Sequence, residues 1–207
     1  MIVLKVELIS EICCGGNEVA SIKKTLFKIK IMKIKFFIIS VLGCNKQKYL
    51  KKHNIFGLMG NDVLFQPCKL PNEPKLIKIH NNVRIASGVT FYTHDVIHQV
   101  FEKIDNIPYQ GHGYCIEIFD NVFIGGNVII AGNVSIGPNA VIAAGSVILK
   151  DVKSGTVVAG NPAQVIASFD EMHSKRLKID GNKPFRSLNA HADELWTEYY
   201  KRKLGDN

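Results

Sequence analysis

Residues 118–153 read IFDNVF-IGGNVI-IAGNVS-IGPNAV-IAAGSV-ILKDVK, a stretch in which isoleucine returns at every sixth position. The isoleucines are Ile118, Ile124, Ile130, Ile136, Ile142 and Ile148. Four residues after each of them comes a small or β-branched residue: Val122, Val128, Val134, Ala140, Ser146 and Val152. Two positions that keep one period indicate a structural repeat.

The period of six decides the fold class. It matches neither the helical repeat of 3.6 residues nor a simple strand of period two. It fits short strands joined by tight corners, with three strands closing one triangular turn of a parallel β-helix and isoleucine pointing inward. Gly-Asn, Pro-Asn and Ala-Gly pairs supply the corners. Residues 118–153 thus predict two coils of a mainly β, parallel β-helix. Hexapeptide coils of this kind wind left-handed, a known exception to right-handed crossovers, so a left-handed parallel β-helix is expected.

The frame begins upstream of this stretch and is interrupted once. Met59 and Val63 have the same spacing. A further coil is visible in Ile79, Ile85 and Phe91 with Val83 and Val89. The frame then stops near Thr93 and resumes at Ile118, which predicts an excursion loop over 94–117. A loop of that length inside a compact repeat is usually functional.

The chain before the repeat forms a basic N-terminal segment, residues 1–57. It holds eleven lysines and three acidic residues, whereas 58–207 holds fifteen basic and fifteen acidic residues and is neutral. We expect the segment to be partly helical, with a helix over 33–53. KIKIMKIKF at 28–36 alternates as a strand would, and residues 1–20 carry no structural prediction.

The chain after the repeat predicts a cap. SGTVVAGNPAQVI contains a final strand and a Gly-Asn-Pro turn at 160–162. The β-helix is therefore assigned to 58–167 and a C-terminal region to 168–207. Within that region, 168–178 and 187–204 are expected to be helices, which the open end of a solenoid needs.

The composition limits which partners and which cellular compartment are expected for this protein. The basic segment is either a solvated lead-in or a surface, within residues 21–57, that contacts anionic lipid or a polyphosphate substrate. Nucleic acid is not expected, because no recognition motif is present. No apolar run is long enough to span a membrane, and charged residues interrupt any signal-peptide core. Five cysteines without metal-like spacing suggest reduced thiols and a cytoplasmic protein.

His94 is the candidate for chemistry because it lies where the repeat is interrupted, in Thr93-His94-Asp95. A histidine fixed beside a long loop suits general-base work, which needs an imidazole with one nitrogen held and the other facing substrate. A solvated loop histidine is the simpler alternative. Zinc held by His94, His98 and His112 is not expected, since 118–153 lacks histidine.

The repeat, the loop with Thr93-His94-Asp95 and the ending Ala159-Gly160-Asn161-Pro162-Ala163 together resemble the hexapeptide-repeat acyltransferases. The resemblance covers about 58–178 and is nearest to the sugar O-acetyltransferases of the maltose and galactoside type and of surface-polysaccharide gene clusters. It implies direct transfer from acetyl-CoA, with no metal, to a hydroxyl or amine of a saccharide or sugar nucleotide.

The resemblance also implies roles for single residues. His94 matches the catalytic base, and the backbone N–H of Gly126 matches the oxyanion donor. Acetyl-CoA matches a groove formed by Gly126, Ala144, Leu149 and Lys150. Relatives often have arginines where this chain has Gln164 and Ala167, so Lys153, Lys175 or Arg176 would replace them at the CoA phosphates. Acceptor contacts are expected from Asn72, Glu73 and Tyr92, with Asn72 or Glu73 orienting His94.

The resemblance implies a homotrimer, in which neighbouring prisms form the second wall of the groove and Phe123 contacts a neighbour from its corner. Two other functions stay open. One is acetylation of another acceptor, such as serine or an antibiotic. The other is a non-catalytic trimeric scaffold, against which the intact loop and the intact Asn-Pro ending argue.

Overall fold

The computed structural model describes residues 16–42, 45–181 and 189–204. They divide into two compact units, one ending at Phe169 and the other beginning at Asp170. The predicted three-part division of the chain stays a prediction. Across the described ranges, no helix is both long and apolar enough to cross a membrane.

The first unit contains the expected left-handed parallel β-helix, whose strands form three faces. Face A contains β1 (Leu58–Met59), β3 (Ile77–Ile79), β6 (Ile116–Ile118) and β9 (Val134–Ile136). Face B contains β2 (Val63–Phe65), β4 (Val83–Ile85), β7 (Val122–Ile124), β10 (Ala140–Ile142), β12 (Thr156–Gly160) and the antiparallel β13 (Ala163–Ser168). Face C contains β5 (Thr90–Phe91), β8 (Ile129–Ile130) and β11 (Val147–Ile148).

The isoleucines of the repeat form three inward columns, one for each face. Ile118 pairs with Ile136 on face A, Ile124 pairs with Ile142 on face B, and Ile130 pairs with Ile148 on face C. All six side chains are buried. The pairing confirms that one coil takes eighteen residues, because partners in each column are three repeats apart.

Left-handed residues make the corners, at the Gly-Asn, Pro-Asn and Ala-Gly pairs where corners are predicted. Asn121, Asn127, Asn133 and Asn139 have φ angles between 54° and 61°, and Gly145 occupies the equivalent position with φ 73°. Asparagine tolerates this region better than other side chains do. Asn82 donates to Asn121 at 2.8 Å and Asn121 donates to Asn139 at 2.9 Å, so one corner also carries an amide ladder.

The described part of the N-terminal segment packs on the first coil. The single helix predicted over 33–53 is two helices, α1 (Gly16–Val41) and α2 (Lys46–Lys52). Residues 43–44 of the predicted helix lie outside the described ranges. The alternating stretch at 28–36 is helical, because tertiary packing of Phe36 overrides the strand-like pattern. The Phe36 ring lies 6.1 Å from that of Phe65 and 6.2 Å from that of Tyr49.

Three further expectations need correction. The excursion is not all loop, because it contains helix α3 (His98–Asp105), and it ends two residues earlier than predicted, since β6 begins at Ile116. The C-terminal helices are α4 (Phe169–Asp180) and α5 (Ala192–Leu204), preceded by a 3₁₀ turn at Asn189–His191, while 187–188 lie outside the described ranges. Phe123 is exposed in the middle of β7 and not at a corner.

Candidate active site

The excursion leaves the β-helix just after face C and returns to it at nearly the same place. His94 forms an isolated antiparallel bridge with Gly113. The backbone N–H of Tyr114 donates to the Thr93 carbonyl at 2.7 Å. The two ends of the excursion are therefore joined directly beside His94, which holds this histidine at a fixed edge of the prism.

His94 is paired with a carboxylate from the preceding coil. Its Nδ1 lies 2.8 Å from Oε2 of Glu73, and both side chains are half-buried. The same Oε2 accepts a hydrogen bond of 2.5 Å from the hydroxyl of buried Thr93. Because an ionised carboxylate only accepts, the Nδ1 of His94 is the donor in this pair, and in the neutral imidazole the lone pair then lies on Nε2. The imidazole is thus set in the tautomer that a general base requires.

A cavity of about 540 Å³ borders this pair. Its lining includes His94, Asn72 and Tyr92, together with Lys69 and Asp95. Tyr92 is exposed, as expected for a residue that alternates with inward Phe91 and Thr93. In the described part of the chain Asn72 makes no hydrogen bond to His94, and its Oδ1 accepts one from Lys33 Nζ at 3.0 Å. Of the two candidates for orienting the histidine, Glu73 alone has the required contact.

Asp95 turns away from the imidazole and secures the loop. Its Oδ2 accepts from the Tyr114 hydroxyl at 2.8 Å, and its Oδ1 accepts from the Ile97 backbone N–H at 3.1 Å. These two donors hold the pKa of Asp95 below its ordinary value, and the bond to Asp95 raises the pKa of Tyr114. The pair therefore keeps its hydrogen bond across the neutral range and fixes the start of the excursion against its end.

A second cavity, of about 370 Å³, contains part of the predicted donor site. Leu149 and Lys150 both line it, with Lys153, Gln164 and Val165. Two amines beside apolar walls suit a ligand that combines phosphates with an apolar arm, as coenzyme A does. Lys153 lines the same cavity as Gln164, and its replacement of the arginines of relatives stays a prediction. Lys175 and Arg176 belong to the second unit.

Gly126 and Ala144 lie one coil apart at the corner between faces B and C. The carbonyl of Gly126 accepts from Gly145 at 2.8 Å. Within the described ranges the N–H groups of Gly126 and Ala144 have no acceptor, although the neighbouring N–H groups of Gly125 and Asn127 do. This corner therefore presents a free backbone N–H group in each of two successive coils, and that of Gly126 is one of the two.

The absence of a side chain at Gly126 is not required by packing. A Cβ there would meet the Ser87 carbonyl oxygen at 3.4 Å, an ordinary contact. At Gly125, by contrast, a Cβ would lie 2.5 Å from the Ala144 backbone nitrogen. Gly125 is needed by the fold, whereas the bare backbone at Gly126 leaves room for a ligand.

The structure does not bring His94 and Gly126 together within one chain. Gly126 lies next to Ser87, before face C begins, and His94 comes after face C has ended. The full width of β5 and its corners separates the two residues. The candidate base and the candidate oxyanion donor therefore occupy opposite edges of one face.

Sequence reasoning assigned no role to Thr93 or Tyr114. Thr93 had a usable signal, since a polar residue occupies an inward position of the alternation after Phe91. Tyr114 had no such signal in the sequence, because a contact between the two ends of a loop produces no periodic pattern.

Metal ligation finds no support among the residues that the structure describes. No group of three or more histidine, cysteine or acidic side chains there could hold a metal ion. His98 begins α3 and packs against Gly111, and its buried Nδ1 has no partner in the described part of the chain.

Known proteins share this repeat. The family model described as bacterial transferase hexapeptide (six repeats) matches residues 116–150. Protein CapG of Staphylococcus aureus is 41% identical over 127 residues, which cover 58% of this chain and 70% of that protein. The 2,3,4,5-tetrahydropyridine-2,6-dicarboxylate N-acetyltransferase of Kosmotoga olearia is 61% identical over 62 residues, 30% of this chain and 27% of that enzyme.

A solved structure shows the same fold. The crystal structure of a hexapeptide-repeat-containing acetyltransferase from Vibrio cholerae superposes with a TM-score of 0.51 at 24% identity. The superposition covers 69% of this chain and 93% of that chain.

Proposed function

The chain belongs to the hexapeptide-repeat transferases and is an acyltransferase, and on that premise we propose that it transfers an acetyl group from acetyl-CoA to a hydroxyl of a saccharide or sugar nucleotide. The observation that carries the proposal is the Glu73–His94 pair beside the 540 Å³ cavity. The resemblance of its loop and its Asn-Pro ending to sugar O-acetyltransferases supports a saccharide acceptor and a role in surface-polysaccharide synthesis.

In the proposed reaction, His94 is the general base. Glu73 accepts the Nδ1 proton in a hydrogen bond, so Nε2 takes the proton of the acceptor hydroxyl as its oxygen attacks the thioester carbonyl. The bond from carbonyl carbon to sulfur then breaks, and the departing thiolate receives that proton from Nε2. The products are an acetyl ester and free coenzyme A. Thr93 holds Glu73 in place through their 2.5 Å contact.

The oxyanion that forms between these steps needs a preorganised donor, and the Gly126 N–H is our candidate. A donor of this kind contributes about two to three orders of magnitude to the rate. Because His94 and Gly126 lie at opposite edges of face C, we assign the two groups of one site to neighbouring chains. This assignment needs at least two chains, and the resemblance to the hexapeptide-repeat acyltransferases supports a trimer. Exposed Phe123 and Ile129 are the apolar contacts that we propose on faces B and C.

The proposed donor site combines the corner at Gly126 and Ala144 of one chain with the cavity at Leu149 and Lys150 of a neighbouring chain, because face C separates these two groups within one chain as well. Lys150 and Lys153 would contact phosphates, and Leu149 and Val165 would contact the apolar arm. Asn72 and Tyr92, which line the other cavity, would contact the acceptor.

Thiol release from acetyl-CoA, measured with a panel of sugars and sugar nucleotides, tests the proposal. Wild type should release coenzyme A only with an acceptor, and His94→Ala should lower kcat by about two to four orders of magnitude without loss of coenzyme A binding. His98→Ala, a change in the same excursion, is the matched control and should retain activity. If wild type failed to bind coenzyme A, the donor assignment would be wrong.

An amine acceptor is the second candidate. The relative from Kosmotoga olearia, which is 61% identical over 62 residues, is by name an N-acetyltransferase. The same base and the same proton path serve an amine. Amino sugars in the panel separate the two, since the product is then an amide, which alkaline hydroxylamine leaves intact while it cleaves an ester.

A further inference from the structure

Helix α1 is apolar on two opposite sides. One side carries Met32 and Phe36, which pack against the core of the prism. The other side carries an exposed row that we call the outer stripe: Phe27 (64% exposed), Ile34 (59%), Ile38 (50%) and Val41 (66%). Their spacing of seven, four and three residues places the four side chains on one helical face. The outer stripe therefore faces away from the protein core.

Lysines border the outer stripe on both sides. At 100° per residue, Lys24, Lys28 and Lys35 lie along one flank, and Lys30 lies along the other. All four are exposed. Residues 24–42 contain no acidic residue. An apolar face with a wholly basic border is the pattern of helices that lie in the interface of a membrane.

We propose that α1 docks on an anionic lipid surface, with the outer stripe among the headgroups and the lysines on the lipid phosphates. A second copy of the chain is a poorer occupant, because it would bring two rows of lysines together without acidic partners. The helix lies on the surface and does not span it, since its lysines recur throughout its length.

The docked orientation has a consequence for the candidate site. Lys33, on the inner side of α1, donates to Asn72 at 3.0 Å, and Asn72 lines the 540 Å³ cavity. The cavity rim then lies about one helix diameter, roughly 10–12 Å, from the lipid. An acceptor attached to lipid could reach it without leaving the membrane surface.

Vesicle co-sedimentation of the full chain tests the docking independently of catalysis. Wild type should bind vesicles of phosphatidylcholine with phosphatidylglycerol and should bind pure phosphatidylcholine much more weakly. Each lysine near an anionic surface changes the partition about fivefold, so Lys24→Gln/Lys28→Gln/Lys35→Gln should weaken binding by on the order of 100-fold. Added salt should weaken wild-type binding too.

A second variant removes the apolar part of the contact. Ile34→Glu/Ile38→Glu should abolish binding, whereas Leu177→Glu/Ile179→Glu, with both side chains 59% exposed on α4, should bind like wild type. Lys175→Gln/Lys178→Gln/Lys201→Gln is the matched control for charge. Circular dichroism and melting temperature, unchanged in all variants, exclude unfolding.

Two results would overturn the proposal. One is wild type that stays in solution with anionic vesicles. The other is an Ile34→Glu/Ile38→Glu variant that binds vesicles normally but changes mass in light scattering, which would show that a second copy covers the stripe.

Discussion

The regular coils of the described β-helix and their interruption each carry a histidine–carboxylate pair. On face A, Nε2 of His80 lies 2.9 Å from Oε1 of Glu117. At the interruption, Nδ1 of His94 lies 2.8 Å from Oε2 of Glu73. The distances are nearly equal, and all four side chains are partly exposed. The pair geometry alone therefore does not distinguish a structural contact from a candidate catalytic one.

The surroundings of the two pairs do distinguish them. His80 stacks on Phe119, with ring centroids 5.1 Å apart, on a flat face built by consecutive strands. His94 has a carboxylate that a second, buried donor also holds, and it borders a cavity. The regular coils provide stability and the interruption provides a concave wall, so a functional site is expected where the period fails.

The largest expected effect separates stability from chemistry. Ile136→Ala removes a buried side chain from the column on face A and should lower the free energy of unfolding by about 2–5 kcal/mol. Its kcat per folded protein should stay near that of wild type, because Ile136 lines neither candidate cavity. Denaturant unfolding and thiol release measure the two quantities. A selective loss of kcat with normal stability would contradict the division.

The second prediction compares the carboxylates of the two pairs, Glu73 and Glu117. Glu73→Gln presents an amide that can donate to Nδ1 and thereby favours the wrong tautomer of His94, so kcat should fall by about 100-fold. Glu117→Gln alters the same type of pair on face A and is the matched control. Equal activities of the two variants would remove Glu73 from the mechanism.

Neighbouring glycines offer a finer comparison. Gly125→Ala places a methyl group against the Ala144 backbone and should lower the free energy of unfolding by about 1–3 kcal/mol. Gly126→Ala should leave stability nearly unchanged and lower kcat/KM by about 10- to 100-fold, because the methyl group enters the space proposed for the thioester. Normal activity of Gly126→Ala would exclude that placement.

The smallest effect concerns the closure of the excursion. Tyr114→Phe removes the hydrogen bond to Asp95 and should raise trypsin cleavage after exposed Lys103 a few-fold. The lowered pKa of Asp95 means that this contribution is present above the carboxyl's unfolded pKa and is lost as the pH falls through the lowered value.

The raised pKa of Tyr114 sets the alkaline limit, because the bond is lost only as the pH rises through that value. The difference in cleavage between wild type and Tyr114→Phe should therefore be constant from about pH 5 to about pH 9. A difference that appears only at one end of this range would argue against the Asp95 contact.

The β-helix could be predicted because its information is periodic. Each isoleucine marks an inward position, and the register of the three columns follows from counting. The corner pairs could be read in the same way, because Asn127, Asn133, Asn139 and Gly145, the second residues of the predicted Gly-Asn, Pro-Asn and Ala-Gly pairs, adopt left-handed backbone angles.

The candidate site was predictable only in part, for a physical reason. His94 is found because the break in the frame points to it, but its contact with Glu73 joins residues 21 positions apart across two coils. Helix α3 was not predicted because its amphipathic pattern extends over only eight residues. None of these residues is buried, so the helix leaves no core pattern in the sequence. Helix α1 was misjudged because apolar residues on two sides cancel the helical periodicity.

The backbone contacts that join the two ends of the excursion affect how the length of the excursion can be changed. These contacts are made by four residues, Thr93, His94, Gly113 and Tyr114. The coils on either side therefore do not depend on the chain between His94 and Gly113. Closure entropy grows slowly with length, by about 0.6 kcal/mol for each doubling. Segments of quite different lengths could therefore be grafted between these four residues, giving the same prism a new wall for a new acceptor.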